Sequence, residues 1–232
     1  MFYFDNLNGE KILRSDFLTK QNGVDAFFTT KSENNPINAY SAKRIITPVQ
    51  THSDHIEIVG GKIEYPDTDG LILTEYNTAI YLRFADCTPV ILYDERNHIG
   101  AISHAGWRGT AAKIAVKTIE KMKENFNTSS KDVIAVIGPA ISICCYEVSE
   151  DVKNTLLSTI KNTKDCFNER FVDLKKINAE QLTEIGVEKI DICPYCTSCN
   201  NDLFYSYRKE NGTKNRHFAF MELEKINNVK KY

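Results

Sequence analysis

Three short apolar runs crowd the middle of the chain: AIYLRF at 79–84, PVILYD at 89–94 and HIGAISH at 98–104. They are rich in β-branched and aromatic residues, and breakers separate them, which predicts strands of a mostly buried sheet. After Thr110 the period changes. Ala111, Ala115, Ile119, Met122 and Phe126 recur at spacings of four, four, three and four, the signature of one helix face. Thr110 or Gly109 is the predicted cap of that helix. DVIAVIGPAI (132–141) reads as a further strand that ends at Gly138–Pro139, with helices following over 149–161 and 173–185. The stretch LFYSYRKENGTKNRHFAFMEL reads as strand, turn and strand, with Asn211–Gly212 at the turn. The region 30–50 is polar and carries no pattern. Adjacent strands mixed with helices predict one α+β domain over 1–232 rather than a regular βαβ repeat.

Composition narrows the function. The 232 residues are 42% hydrophobic and 10% aromatic, enough for a sizeable core. Basic residues number 29 and acidic 31, a net charge of −2, so the basic field of a general nucleic-acid binder is missing. The opening MFYFDNLNGEKILRSDF has no basic segment followed by an apolar run, and no apolar run approaches the roughly 20 residues of a membrane span. The expected protein is cytoplasmic, without a membrane or protein partner, as a monomer or homodimer. The seven cysteines are Cys87, Cys144, Cys145, Cys166, Cys193, Cys196 and Cys199. In such a setting they suit thiols and metal ligands better than a disulfide framework.

Several residues carry candidate chemistry. His52 follows the strand-like RIITPVQ, Cys87 ends YLRFADC and His104 ends IGAIS. If these strands end at one sheet edge, the three side chains converge as a Cys–His–His zinc site with an open fourth position. Otherwise they are ordinary polar residues at strand ends. A rival metal site is CPYCTSC at 193–199, with two overlapping Cys-x-x-Cys steps; Cys166 and His217 are the nearest fourth ligands, and buried or surface thiols are the alternative. His55 and His98 sit in no motif and are expected at solvent or capping strands. In HAGWRGT (104–110), Gly106 and Gly109 allow close backbone approach, and Arg108 offers a planar cation for phosphate or carboxylate. A tight turn with Trp107 in the core is the alternative. CCYEV (144–148) allows a Cys–His hydrolase, with Cys144 or Cys145 attacking and His104 as base.

Taken in order, QTHSD (50–54), DTDGLILT (67–74), ADCTPVILYD (85–94), HAGWRGT (104–110), GPAISICCYEV (138–148) and CTSCNNDLFYSYRKENGTKNR (196–216) resemble the YfiH family. It is also called the laccase-domain or multicopper polyphenol-oxidase-like family. The resemblance implies an α+β fold of layered mixed sheets flanked by helices, the YfiH-like or CNF-like fold. It further implies that His52, Cys87 and His104 bind zinc, with copper as the alternative metal. The implied activity is phosphorolysis of adenosine, inosine and 5′-methylthioadenosine, with deamination of adenosine to inosine. Two features depart from the family. The stretch before QTHS is short and lacks its glycine pair, and the C-terminal Gly-Arg is Asn215–Arg216.

On that reading the partners are purine nucleosides and phosphate. Arg108, Gly109, Arg208 and Arg216 are the phosphate-binding candidates. Deamination needs a proton-transfer group, for which Asp86 and Glu147 are the candidates. Three other readings stand beside it: a hydrolase editing peptidoglycan precursors through the zinc or Cys145, a copper-dependent phenol oxidase, and a non-catalytic module stapled by its metal. The phenol oxidase fits poorly with only five histidines.

Overall fold

The computed structural model describes residues 1–32, 37, 42 and 44–225. Within the unpatterned stretch 33–43, where the shortened family element falls, only Ile37 and Ala42 are thus described.

The first strands are β1 (Phe2–Leu7), β2 (Glu10–Ser15), β3 (Val24–Thr29), β4 (Arg44–Ile46), β5 (Ile56–Ile58), β6 (Gly70–Leu73) and β7 (Thr78–Phe84). They continue as β8 (Thr88–Asp94), β9 (Ile99–Ala105), β10 (Val133–Ile137), β11 (Phe167–Asn168), β12 (Phe171–Val172), β13 (Lys189–Ile192) and β14 (His217–Leu223). The helices are α1 (Asp16–Thr19), α2 (Trp107–Ala111), α3 (Ile114–Phe126), α4 (Glu150–Leu157) and α5 (Leu174–Glu184). Among them, no helix is long and apolar enough to cross a membrane.

Two six-stranded sheets carry the architecture, in the orders β1-β2-β3-β14-β7-β4 and β13-β10-β8-β9-β6-β5. Most pairs are antiparallel, whereas β4 with β7, β5 with β6 and β10 with β13 are parallel. The sheets pack face to face over Leu13, Phe28, Leu82, Phe84, Leu71, Ile91, Ile102 and Met221. The outer face of the second sheet packs on α3 and α5 through Val90, Leu92, Ala101, Ile119, Met122 and Leu182. The layers are therefore sheet, sheet and helix. This explains the unbroken apolar run in β8: Ile91 and Tyr93 enter one core, while Val90 and Leu92 enter the other.

The helix after Thr110 differs from the expected one. It starts earlier, with Gly106 as the cap of α2, and breaks at Lys113, whose φ of 58° is left-handed. Ala115, Ile119 and Met122 do share the buried face of α3, but Ala111 stays on α2 and packs elsewhere. The first half of the expected C-terminal hairpin is also no strand. Around 201–212 the backbone turns on local bonds: Glu210 N–H to Ser206 O at 3.0 Å, Gly212 N–H to Tyr207 O at 2.9 Å, and Ser206 N–H to the Glu210 carboxylate at 3.0 Å. Those bonds use groups a ladder would need. Only β14 forms, in the middle of the first sheet.

Candidate metal centre and cavity

β7 and β8 are joined by a tight turn through Ala85, Asp86 and Cys87, in which Asp86 has a φ of 82°. β9 pairs with β8 so that His104 stands opposite Pro89. His52 lies in the segment between β4 and β5, with a φ of 64°. The pairing brings the three residues together. The ligand atoms of His52, Cys87 and His104 all lie within 4.8 Å of one another. The two imidazoles meet edge to face with centroids 4.8 Å apart, and Phe84 supports His104 at 5.2 Å.

Asp69, fully buried just before β6, organises this group, and nothing in the sequence pattern singles it out. Its carboxylate accepts from His104 Nδ1 at 2.7 Å, from the N–H groups of Thr51, His52 and Ser53, and from Ser53 Oγ. An ionised carboxylate only accepts, so Nδ1 carries the proton and Nε2 remains as the ligand atom of His104. Burial alone would raise the Asp69 carboxyl. The His104 ring and the Ser53 and Thr51 N–H groups outweigh it and bring the carboxyl to about 2. Burial also opposes ionisation of Cys87, yet the His104 and His52 rings lower its thiol to about 6. Against burial, Cys87 and Asp69 raise His104 to about 9. A thiol so placed gives up its proton readily to a metal.

The backbone fits the same purpose. A Cβ on Gly106 would stand 3.0 Å from the Cys87 sulfur and 3.3 Å from His52 Cδ2, so a side chain there would push on both ligands. The donor set is one thiolate and two imidazoles, three ligands with one side open, as in catalytic zinc sites.

That side faces a cavity of about 800 Å³, lined by His52, Cys87 and His104 together with Gln50, Asp86, Tyr146 and Tyr207. Four cations also line it: Arg83, Arg208, Lys214 and Arg216. Gln50 clasps the Arg83 backbone from both sides, at 2.8 and 3.0 Å. The Arg208 guanidinium lies 5.5 Å from the Tyr146 ring centroid. Asp86 turns both carboxylate oxygens to the protein, accepting from Thr197 Oγ1 at 2.6 Å and Arg208 N–H at 2.7 Å.

Of the candidates from the sequence, the structure brings His52, Cys87, His104, Asp86, Arg208 and Arg216 to this cavity. Arg108 and Gly109 do not line it. Arg108 is exposed and lies 4.4 Å over Trp107, which packs beside the cluster of Leu156, Ile160 and Val172. Gly109 is a packing glycine, since a Cβ there would meet the His104 carbonyl at 3.0 Å. Glu147 is exposed and its carboxylate pairs with Arg170. Cys145 sits with Cys144, Cys196 and Cys199 rather than with His104, so the Cys–His hydrolase pair is not assembled.

CPYCTSC is likewise divided. Cys193 is buried in the core between the sheets, which pushes its thiol up to about 12, and Cys166 is buried beside Leu156 and Val172. His217 lies between Phe84 and Phe204, where burial pushes its ring down to about 3. His98 is buried rather than solvated, bonded to Tyr93 Oη at 2.7 Å and Glu224 O at 3.0 Å. His55 is exposed and bonds the Asp67 carbonyl. Arg83, Lys214, Gln50, Tyr146 and Tyr207 reach the cavity from separate segments that spacing does not connect, so the sequence alone does not mark them as a group.

The family model described as multi-copper polyphenol oxidoreductase laccase matches residues 17–224. The chain belongs to this family. A purine nucleoside phosphorylase of Clostridium acetobutylicum is 32% identical to this laccase-domain chain over 211 residues, covering 88% of it and 89% of the relative. YlmD from Geobacillus stearothermophilus superposes with a TM-score of 0.86 at 27% identity, covering 96% of this chain and 99% of its own. The Bacillus licheniformis hypothetical protein YfiH gives 0.83 at 28%, covering 95% and 99%. The family's layered α+β fold is the one seen here.

Proposed function

We propose that this protein is a metal-dependent purine nucleoside phosphorylase, with His52, Cys87 and His104 holding zinc. The observation that carries the reading is the pairing of an open three-ligand centre with four cations around one cavity. The relatives named as purine nucleoside phosphorylases support the same substrate class. A volume of about 800 Å³ lies within the range of small-molecule sites.

The residues divide the work. Tyr146 and Tyr207 offer aromatic faces for a purine ring. Arg208, Arg216, Lys214 and Arg83 supply the field that draws in phosphate and steadies it as one oxygen bonds to C1′ of the ribose. The bond from C1′ to the base breaks, its electron pair leaves with the purine, and the products are free base and ribose-1-phosphate. Asp86 holds the Arg208 backbone, which places that guanidinium beside Tyr146. When bound, the metal supplies Lewis acidity at its open position.

The finer reading takes adenosine, inosine and 5′-methylthioadenosine as substrates and adds deamination of adenosine to inosine. Asp86 is the one carboxylate among the lining residues for that proton transfer, and it would have to release Thr197 or the Arg208 N–H to take part. A multicopper centre does not fit. His55 and His98 are bonded elsewhere and His217 is buried between Phe84 and Phe204, leaving two of five histidines at the site.

Zinc-loaded protein is to be incubated with each nucleoside, with and without phosphate. Base and ribose-1-phosphate are expected only with phosphate, and inosine from adenosine without phosphate reports deamination. If no nucleoside yields base or inosine, the reading fails. Release of products from a peptidoglycan precursor instead would favour the hydrolase.

A further inference from the structure

We propose that Cys144, Cys145, Cys196 and Cys199 form a second metal site, a mononuclear tetrathiolate zinc centre that fastens two walls of the cavity to each other. The four sulfur atoms lie within 4.8 Å of one another, and Cys199 Sγ is 3.4 Å from both Cys144 and Cys145 Sγ. A tetrahedral ion with Zn–S bonds of about 2.3 Å sets sulfur–sulfur edges of about 3.8 Å. The observed group brackets that length. Disulfide bonding needs about 2.05 Å and joins sulfurs only in pairs. A [4Fe–4S] cluster puts each cysteine on a different iron, and a [2Fe–2S] cluster puts two on each of two irons, so either spreads the four sulfurs wider than a single ion does. Four soft sulfur donors at single-ion spacing suit zinc, with a mononuclear iron as the competing ion that metal analysis distinguishes.

The backbone has already built the cage. Cys196 pairs with Ala140 as a parallel bridge, and Thr197 N–H donates to Ala140 O at 3.1 Å. Ser142 N–H points at the Cys196 sulfur at 3.4 Å, and the N–H groups of Ser198 and Cys199 are directed there too. Such donors offset the double negative charge of a tetrathiolate. The turn that bonds Cys145 N–H to Ser142 O at 2.9 Å presents Cys144 and Cys145 to the same point. Binding is a simple exchange: four thiols release four protons, one zinc ion accepts four sulfur lone pairs, and no electron is transferred. Cys144 and Cys199 are exposed, so the ion enters from solvent.

The seam is a useful one to close. The segment with Cys144 and Cys145 gives Ile141 and Tyr146 to the cavity, and the segment with Cys196 and Cys199 runs on to Tyr207 and Arg208. Arg208 Nη2 also bonds Glu147 O across it at 3.1 Å. The second ion would hold a stacking ring and a phosphate-side cation at a fixed distance without touching substrate.

The test is metal stoichiometry on the full chain. Protein made in zinc-supplemented medium is expected to carry two zinc ions. The double variant Cys144→Ser, Cys199→Ser and the double variant His52→Ala, His104→Ala should each keep one. Because Cys144 and Cys199 are exposed, their replacement leaves the core intact. Cobalt titration of the unaltered chain is a second readout that needs no variant. Its thiolate-to-metal absorption should correspond to five Co–S bonds, falling to about one-fifth in the cysteine variant and staying near four-fifths in the histidine variant. One zinc in the unaltered chain that survives in the cysteine variant would overturn the proposal. So would iron in place of zinc, or a mass short by the hydrogens a disulfide removes. None of these results bears on nucleoside turnover, so the two readings fail separately.

Discussion

The two groups of metal-capable side chains are held in different ways. His104 is set on the buried strand β9, Cys87 in the tight turn from β7 to β8, and one carboxylate, Asp69, ties His104 to the connecting segment of His52. Cys144, Cys145, Cys196 and Cys199 lie on two turns, with Cys196 buried and Cys144 and Cys199 exposed, joined by the bridge pair Ala140–Cys196 and the bond from Ser142 N–H to the Cys196 sulfur. The first set has three donors and faces a cavity; the second has four and closes on itself. An open set anchored at the ends of buried strands suits chemistry, and a closed set on turns suits fastening. The difference lies in the support behind the ligands as much as in their number.

The comparison breaks most visibly at Cys87. Cys87→Ser should reduce phosphorolysis to background while the chain stays folded, checked by base release beside circular dichroism. Equal turnover would remove the chemistry from this centre. Asp69→Asn should weaken metal affinity at the first centre about 10–100-fold, with activity restored by excess zinc, as measured by competition with a chelating dye. Affinity at the four-cysteine group should not move. A loss at both sites would show that they are not independent.

His217 tests the rigidity beneath the first centre through pH. Its ring is held neutral at about 3, below the ordinary histidine value of 6.5, so the unfolded chain takes up the proton first as pH falls. Its contribution to stability is therefore complete above about 6.5 and is lost progressively as pH drops toward 3. From pH 7 to 5, the original protein should lose about 2 kcal/mol more than His217→Leu in urea unfolding. Parallel losses in the two proteins would refute this. The smallest effect concerns the wall. Arg216→Ala should raise the KM for phosphate about tenfold with little change in kcat, the mark of uniform binding. A fall in kcat alone would move Arg216 to the reacting atoms.

The two centres were also unequally legible. The strands of the middle were readable because β8 and β9 sit between two cores and their apolar runs show it. That placed Cys87 and His104 at strand ends, but their convergence with His52 came from family resemblance. Pairing of β8 with β9 cannot be read from spacing. Asp69 stayed hidden because its role exists only once β6 lies against β9. Cys144 and Cys145 are separated from Cys196 and Cys199 by about fifty positions, so CPYCTSC pointed to Cys193, which faces the core instead. The apolar period runs through Lys113 and so extends the expected helix past a left-handed residue that periodicity does not register. The missing half of the C-terminal hairpin had strand-like residues, and Asn201, Ser206 and Glu210 overrode them with local bonds.

The bond from Asp69 to His104 spans 35 positions of the chain. It forms only when β6 and β9 have met, so the first centre is finished by the sheet and not by its ion. The expected order is the reverse of a zinc finger, in which the metal drives folding. Protein stripped of metal should keep its fold and reload directly, with circular dichroism unchanged before and after zinc is returned.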